Sequence, residues 1–175
     1  HWADTRDFIK ELDHSRAFTV GLEKIFTRAD SSHSFRVSAE ATNLNMSQTW
    51  QSGRGDVTFY THSQIRQGYT HRGQLLGAPI GPGSDAQYVG ADYMWDEFIA
   101  GLYVERVRYD NDTYYRHFAY PFAYHGHDAE ITVGLRGAGS AYGVQLIGEI
   151  AHSQRYNRDF VTLRSGDGSF DRNLS

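Results

Sequence analysis

The chain has 175 residues and a formal net charge of -4, with 17 Lys and Arg set against 21 Asp and Glu. That mixed balance points away from a nucleic-acid partner, and the absence of Cys excludes disulfides and thiol chemistry. Mean hydropathy is -0.58, and no window approaches the ~18 apolar residues of a membrane helix, but a transmembrane barrel strand is apolar on one side only and escapes that test.

Residues 4–12 have the pattern of one or two helical turns. From there period-two alternation takes over. In 17–26, Phe18, Val20, Leu22 and Phe26 share a face opposite Thr19, Gly21 and Glu23. In 35–42, Phe35, Val37, Ala39 and Ala41 oppose Arg36, Ser38, Glu40 and Thr42, and the shift of parity to Leu44 and Met46 predicts a bulge. Val57 and Phe59 open a strand expected over 57–66. Further strands are expected over 86–95 (Val89, Ala91, Tyr93, Trp95), 98–109 (Phe98, Ala100, Leu102, Val104), 128–136 (Ala129, Ile131, Val133, Leu135) and 142–153 (Val144, Leu146, Ile150).

This gives about seven strands, each near the ~9–11 residues that cross a bilayer at a tilt. After residue 57 the connections alternate: 67–85 is long, 96–97 minimal, 110–127 long, 137–141 short and 154 onward long. Outer-membrane barrels show this asymmetry between short periplasmic turns and longer external loops. Trp95 and Phe98 flank the minimal turn as interfacial aromatics would. Glu23, Arg36, Glu40, Asp92, Glu130, Arg136 and Glu149 fall on the polar face and suit a wet lumen. A soluble β-sandwich also alternates with period two and stands as the alternative.

Two loops carry the candidate chemistry. Segment 68–85, GYTHRGQLLGAPIGPGSD, holds two of the three prolines, and long ordered loops tend to carry function. Tyr69, His71, Arg72, Gln74 and Asp85 offer a sugar an aromatic face and polar hydrogen-bonding groups. Gly68, Gly73, Gly77, Pro79, Gly81, Pro82 and Gly83 equally suit a structural loop that folds inward to plug a wide pore. Segment 109–127, YDNDTYYRHFAYPFAYHGH, could form a carbohydrate platform through Tyr114, Tyr115, Tyr120 and Tyr124, or continue an interfacial aromatic belt. Asp110 with Asp112, and His125 with His127, lack a full ligand set for calcium or a transition metal. No cofactor and no metal are expected. The glutamates have no spacing that marks a glycosidase pair, GxSxG is absent, and GAPIGPG lacks the Lys-Ser/Thr ending of a phosphate loop.

Residues 57–96 resemble the capsule assembly Wzi family. The resemblance rests on Gly68-Tyr69-Thr70, Arg72-Gly73, Leu76-Gly77, Ile80-Gly81-Pro82-Gly83 and Ser84-Asp85, and a second similar stretch is Glu105-Arg106-Val107-Arg108-Tyr109-Asp110-Asn111-Asp112. It implies an all-β fold, an antiparallel transmembrane β-barrel segment of about 7–8 strands from a larger barrel of about 18. It further implies a single unit over 1–175, incomplete at both ends, in the outer membrane of a Gram-negative-type bacterium. The implied role is non-enzymatic: surface assembly or attachment of capsular polysaccharide, with that polysaccharide and outer-membrane lipid as partners. A porin-like channel constricted by the Gly/Pro-rich loop is the other membrane reading.

Overall fold

The computed structural model describes residues 9–10, 17–27, 32–47, 50–51, 58–61, 64–65, 67–118, 126–160 and 172–173. Most of them lie in one antiparallel sheet. In chain order the elements are β1 (Phe18–Thr27), β2 (His33–Asn43), β3 (Thr70–His71), β4 (Gln74–Leu75), β5 (Asp85–Trp95), β6 (Phe98–Arg108), β7 (Ala129–Ala141), β8 (Val144–Tyr156) and β9 (Arg172–Asn173). The main sheet runs β1-β2-β5-β6-β7-β8-β9, while β3 and β4 form a separate hairpin. Its six long strands have 10 to 13 residues. Among the described residues no pairing joins β1 to the far side of the sheet. No helix among them is long and apolar enough to cross a membrane, a test that does not address strands.

The strand expected over 57–66 is not formed where the chain is described. Tyr60 has φ 66, and the Thr61 N–H donates to the Thr58 carbonyl at 3.2 Å, so the extended run is broken by a turn. Val57, His62, Ser63 and Arg66 lie outside the described residues. β2 therefore pairs directly with β5, and one connection, 44–84, spans the interval. The parity shift at Leu44 marks the end of a strand and not a bulge. The Leu44 N–H still reaches the Ser84 carbonyl at 2.9 Å, and Asn43 Oδ1 then accepts from the Asn45 N–H at 2.9 Å in a local turn. β7 runs on through Gly137 and Gly139, so the short link is Tyr142-Gly143 and not 137–141. Both turn residues are left-handed, φ 53 and 77, the tight-turn geometry whose twist matches the flanking strands. Of the residues expected in a helical turn over 4–12, only Ile9 and Lys10 are described, and both are helical.

With these corrections the alternation of link lengths covers the whole sheet. The links from Thr27 to His33, from Trp95 to Phe98 and from Ala141 to Val144 are short and join strand ends on one side of the sheet; those from Asn43 to Asp85, from Arg108 to Ala129 and from Tyr156 to Arg172 are long and join strand ends on the other.

Register fixes what each face carries. One face has continuous apolar rows, such as Leu22, Ala39, Val89, Val104 and Val133, then Val37, Ala91, Leu102, Leu135 and Ile150. The large side chains in these rows, including Leu22, Val89, Leu102, Leu135 and Ile150, are exposed. Lys24 and His152 interrupt this face, and the Lys24 amine lies 5.9 Å from the Phe26 ring centre. Towards the short turns the face ends in aromatics: Trp95 lies 5.8 Å from Phe98 and 5.6 Å from Tyr93, and Phe26 lies 6.5 Å from Phe35. Towards the long loops it ends where Arg106 donates to Gln87 at 2.6 Å.

The opposite face is mainly polar, with an apolar row of Met94, Ile99, Ala138 and Ile147 beside the short turns. Its central feature is Asp92, fully buried beneath two arginines. Arg36 reaches it from β2 at 2.7 Å, and Arg136 from β7 with two hydrogen bonds of 2.7 and 2.8 Å. Gly101 is the cross-strand partner of Asp92, and a Cβ there would fall 1.9 Å from Asp92 Oδ1. Tyr103 stacks on Tyr88 at 5.7 Å and donates to Glu149. Among the described residues no second layer packs on either face. The buried hydrophobic residues Leu44, Ala86, Val107, Tyr114 and Phe160 gather at the long-loop end instead.

Candidate functional site at the long-loop end

Three buried carboxylates, two at strand borders and Asp112 just beyond β6, tie the long loops to the sheet and to each other. Asp85, at the first position of β5, accepts from Arg108 Nε at 2.8 Å and Nη2 at 2.6 Å. It also accepts from Asn111 Nδ2 at 2.9 Å, Gln87 Nε2 at 2.9 Å and Asn45 Nδ2 at 3.2 Å. Strand β5, strand β6 and both long loops thus meet on one buried side chain. Asp112 accepts from the Met46 N–H at 2.9 Å, Gln51 Nε2 at 2.7 Å and Thr58 Oγ1 at 2.5 Å. Asp128 takes both ends of the Arg155 guanidinium at 2.8 and 2.7 Å and the Asp159 N–H at 2.9 Å, which brings in the chain after β8. Buried carboxylates are tolerated only when saturated with donors in this way.

The backbone between these anchors is shaped to match. Asp110 adopts φ 43, and its side chain accepts from the Thr113 N–H, capping a single α turn at Asn111–Thr113. The Asn111 N–H donates to the Gly83 carbonyl at 2.7 Å. Gly83 has φ +63, and a Cβ there would come within 2.9 Å of Asp110 Oδ1. Gly83→Ala is expected to cost about 2 kcal/mol through backbone strain and that clash, read as faster proteolysis within 44–84. Unchanged cleavage would contradict the packing described. The guanidinium of Arg155 covers the Tyr109 ring at 4.1 Å, and the Tyr109 hydroxyl donates to Glu130 at 3.1 Å. Burial first, and the Glu130 carboxylate second, push the Tyr109 hydroxyl up to about 12, so it stays a donor at all ordinary pH.

The residues expected at a carbohydrate site separate into two groups. Tyr69, His71, Arg72 and Gln74 are exposed on and beside the β3–β4 hairpin. Arg72 and Gly73 form its turn, with φ 49 and 81. The hairpin is anchored through Tyr60: the Tyr69 N–H donates to the Tyr60 carbonyl at 2.8 Å, and the Ala78 N–H to the Tyr60 hydroxyl at 3.2 Å. Gly77 leaves room for the Tyr60 ring, since a Cβ there would lie 2.5 Å from it. Gly68, Gly73, Gly81 and Gly83 all have positive φ, as a structural glycine loop requires; Pro79 is exposed and Pro82 half-buried. Asp85 is buried in its ion pairs, and Tyr114 is buried 3.8 Å from the His127 ring centre and 5.7 Å from Phe160. These two face the interior of the loop cluster. Tyr115 is 41% exposed, which leaves its ring open to a ligand. Tyr120, Tyr124 and His125 lie outside the described residues.

No family model, curated protein or solved structure matches this chain significantly. Among the described residues no group of three or more His, Asp and Glu is arranged to hold a metal ion. The Asn111 side chain of the Asn-Asp-Thr sequon is 1% exposed, closed to a glycosylating enzyme in the folded state. Sequence reasoning passed over Asn45, Arg108, Asn111, Asp112, Asp128 and Arg155 as fasteners. The first of the pairings was within reach, because a two-residue turn at 96–97 sets Asp85 opposite Arg108.

Proposed function

We propose that this chain is part of the wall of an outer-membrane β-barrel and that its long loops help hold surface polysaccharide without catalysing a reaction. The observation that carries the membrane half is the apolar face, exposed along all six long strands. A patch of that extent is far larger than a water-facing surface tolerates, whereas lipid would cover it. Strand lengths, an aromatic border beside the short turns and the segregation of long loops to one end add support. A soluble sandwich would bury its apolar residues against a second layer, and the buried hydrophobics here lie elsewhere.

The polysaccharide half rests on the Wzi resemblance of residues 57–96 and on side chains suited to sugars. Tyr69 and Arg72 supply an exposed ring and an exposed guanidinium, and both sit on a hairpin fastened to the sheet through Tyr60, Thr58 and Asp112. Detergent-extracted protein is expected to partition with the detergent phase and to be retained on a column of its native capsular polysaccharide. Tyr69→Ala should weaken retention roughly five- to tenfold, the value of about 1 kcal/mol for a stacked ring. Aqueous partition defeats the membrane reading; detergent partition without retention defeats only the lectin reading. A channel is the second reading, favoured by the polar face and by the burial of Ala86 and Val107 at its loop end. Planar-bilayer conductance that rises when the β3–β4 hairpin is shortened would select it.

A further inference from the structure

Two tyrosines lie side by side on the polar face, away from the loop cluster. Tyr88 and Tyr103 stack at 5.7 Å with 29° between their rings. Glycines make the room for them. Tyr103 is the cross-strand partner of Gly90 on one side and of Gly134 on the other. A Cβ at Gly134 would run into the Tyr103 ring, and one at Gly90 would fall 2.5 Å from the Tyr88 hydroxyl. The rings therefore lie down on the wall, with a glycine beneath each, and do not stand out from it. Both are half-buried, and among the described residues no layer packs over them. A ring laid flat in this way offers its face to the C–H face of a sugar.

Polar groups stand at the edge of this aromatic floor. The Tyr103 hydroxyl donates to Glu149, and the Arg136 guanidinium lies 5.9 Å from the Tyr103 ring centre. Glu149, Arg136 and Arg36 also line a depression of about 500 Å³ whose base includes Ile99 and Ile147. That volume falls within the ~300–1,000 Å³ of small-ligand sites, which combine an apolar base with a few convergent polar groups. Arg36 and Arg136 each spend Nε and Nη2 on Asp92, so Nη1 is the donor each can offer a hydroxyl. Arg36 Nη1 stands 3.8 Å from Glu23, beyond hydrogen-bond reach. Charge selects among sugars. Tyr88 has Glu40 and Glu105 as cross-strand partners, and with Glu149 and Asp92 the carboxylates outnumber the two arginines. A neutral saccharide finds acceptors for its hydroxyls there, whereas a uronate or a phosphate meets repulsion.

We propose that the polar face binds neutral saccharide at Tyr88, Tyr103, Arg136 and Glu149, a site separate from the loop residues around Tyr69. Tyr103 stands about 17 Å along β6 from Arg108 at the loop end, at ~3.4 Å per residue. This role rests on the reading of the sheet as a barrel wall, which makes the polar face a water-filled interior, and not on sugar binding by the loops.

Calorimetric titration of the full chain, in micelles of a detergent without a sugar headgroup, tests the site. Maltohexaose and mannohexaose are the neutral probes and hexagalacturonate the anionic one. At least one neutral hexamer is expected to bind, and the uronate about fivefold more weakly or worse. Tyr103→Leu should weaken the neutral hexamer about five- to tenfold. Tyr103→Phe keeps the ring and should stay within about threefold, and Tyr69→Ala should change nothing. Silence of both neutral hexamers overturns the proposal, as does a uronate that binds equally well or an unchanged affinity in Tyr103→Leu. Loss with Tyr69→Ala in place of Tyr103→Leu also overturns it and leaves sugar binding to the loops. Should Tyr103→Leu not fold, Glu149→Ala decides, because that side chain is exposed. Its affinity must fall about threefold or more, and an unchanged value defeats the site. Failure of the underlying membrane reading shows separately, as partition of the protein into the aqueous phase.

Discussion

Asp92→Ala is expected to lower the stability of the sheet by about 2–3 kcal/mol, measured by urea unfolding of protein refolded into micelles or vesicles. The carboxylate is fully buried and shared by Arg36 and Arg136. Its removal leaves two guanidiniums facing each other across β5 and β6 with no anion between them. Breaking a deeply buried pair costs about 3–5 kcal/mol. Here the covering groups are guanidiniums that are themselves about one-third exposed, so solvent relieves part of the penalty. Gly101→Ala attacks the same device from the neighbouring strand. Its Cβ would sit 1.9 Å from Asp92 Oδ1 and 3.0 Å from the Ala91 carbonyl, so the carboxylate must leave its clamp. A loss of about 2 kcal/mol is expected. The decisive measurement is the double variant. Once Asp92 is Ala, most of the Gly101→Ala cost should vanish, a coupling of about 1–2 kcal/mol. Additive losses would mean that Gly101 is needed for some reason other than room for Asp92.

Asp85→Ala is expected to loosen the loops while leaving the sheet intact. Arg108, Asn45 and Asn111 lose their common acceptor, and Asn111 is almost wholly buried. Orphaning a half-buried cation and a buried amide together costs about 3 kcal/mol, or roughly a hundredfold rise in the open population. Limited proteolysis should cut within 44–84 and 109–128 far sooner than in the wild type, and the strand content by circular dichroism should hold. Loss of the strand signal would show that the cluster supports the sheet itself and not only its loops.

How much of this was legible in the sequence depends on distance along the chain. The alternation of Phe98, Ala100, Leu102 and Val104 against the glycine and charged positions revealed β6, because a strand with one polar and one apolar face writes its period directly. The two-residue turn at Asp96-Glu97 then fixes every pair in β5–β6, including Asp85 with Arg108 and Asp92 with Gly101. The convergence of Arg36 and Arg136 on Asp92 was not legible, since it depends on registers across links of tens of residues. Nor was the fate of 57–66. Val57 and Phe59 carry a strand-like signal, but the turn at Tyr60 and the Thr58 bond to Asp112 override it. Aromatic content alone could not separate the exposed Tyr69 from the buried Tyr114, because both sit in polar, turn-rich surroundings and only the His127 and Phe160 contacts distinguish them.

The two classes of link set an order of assembly. The turns at 96–97 and 142–143 join residues already adjacent in sequence, so β5–β6 and β7–β8 zip as local hairpins on a microsecond scale. Joining β2 to β5 must close about 40 residues, a penalty some 2–3 kcal/mol larger by loop-closure entropy. The Asn45 bond to Asp85 and the bonds of Met46, Gln51 and Thr58 to Asp112 become available only once that span closes. Preformed hairpins would thus be sewn edge to edge, with each seam locked by the loop that crosses it.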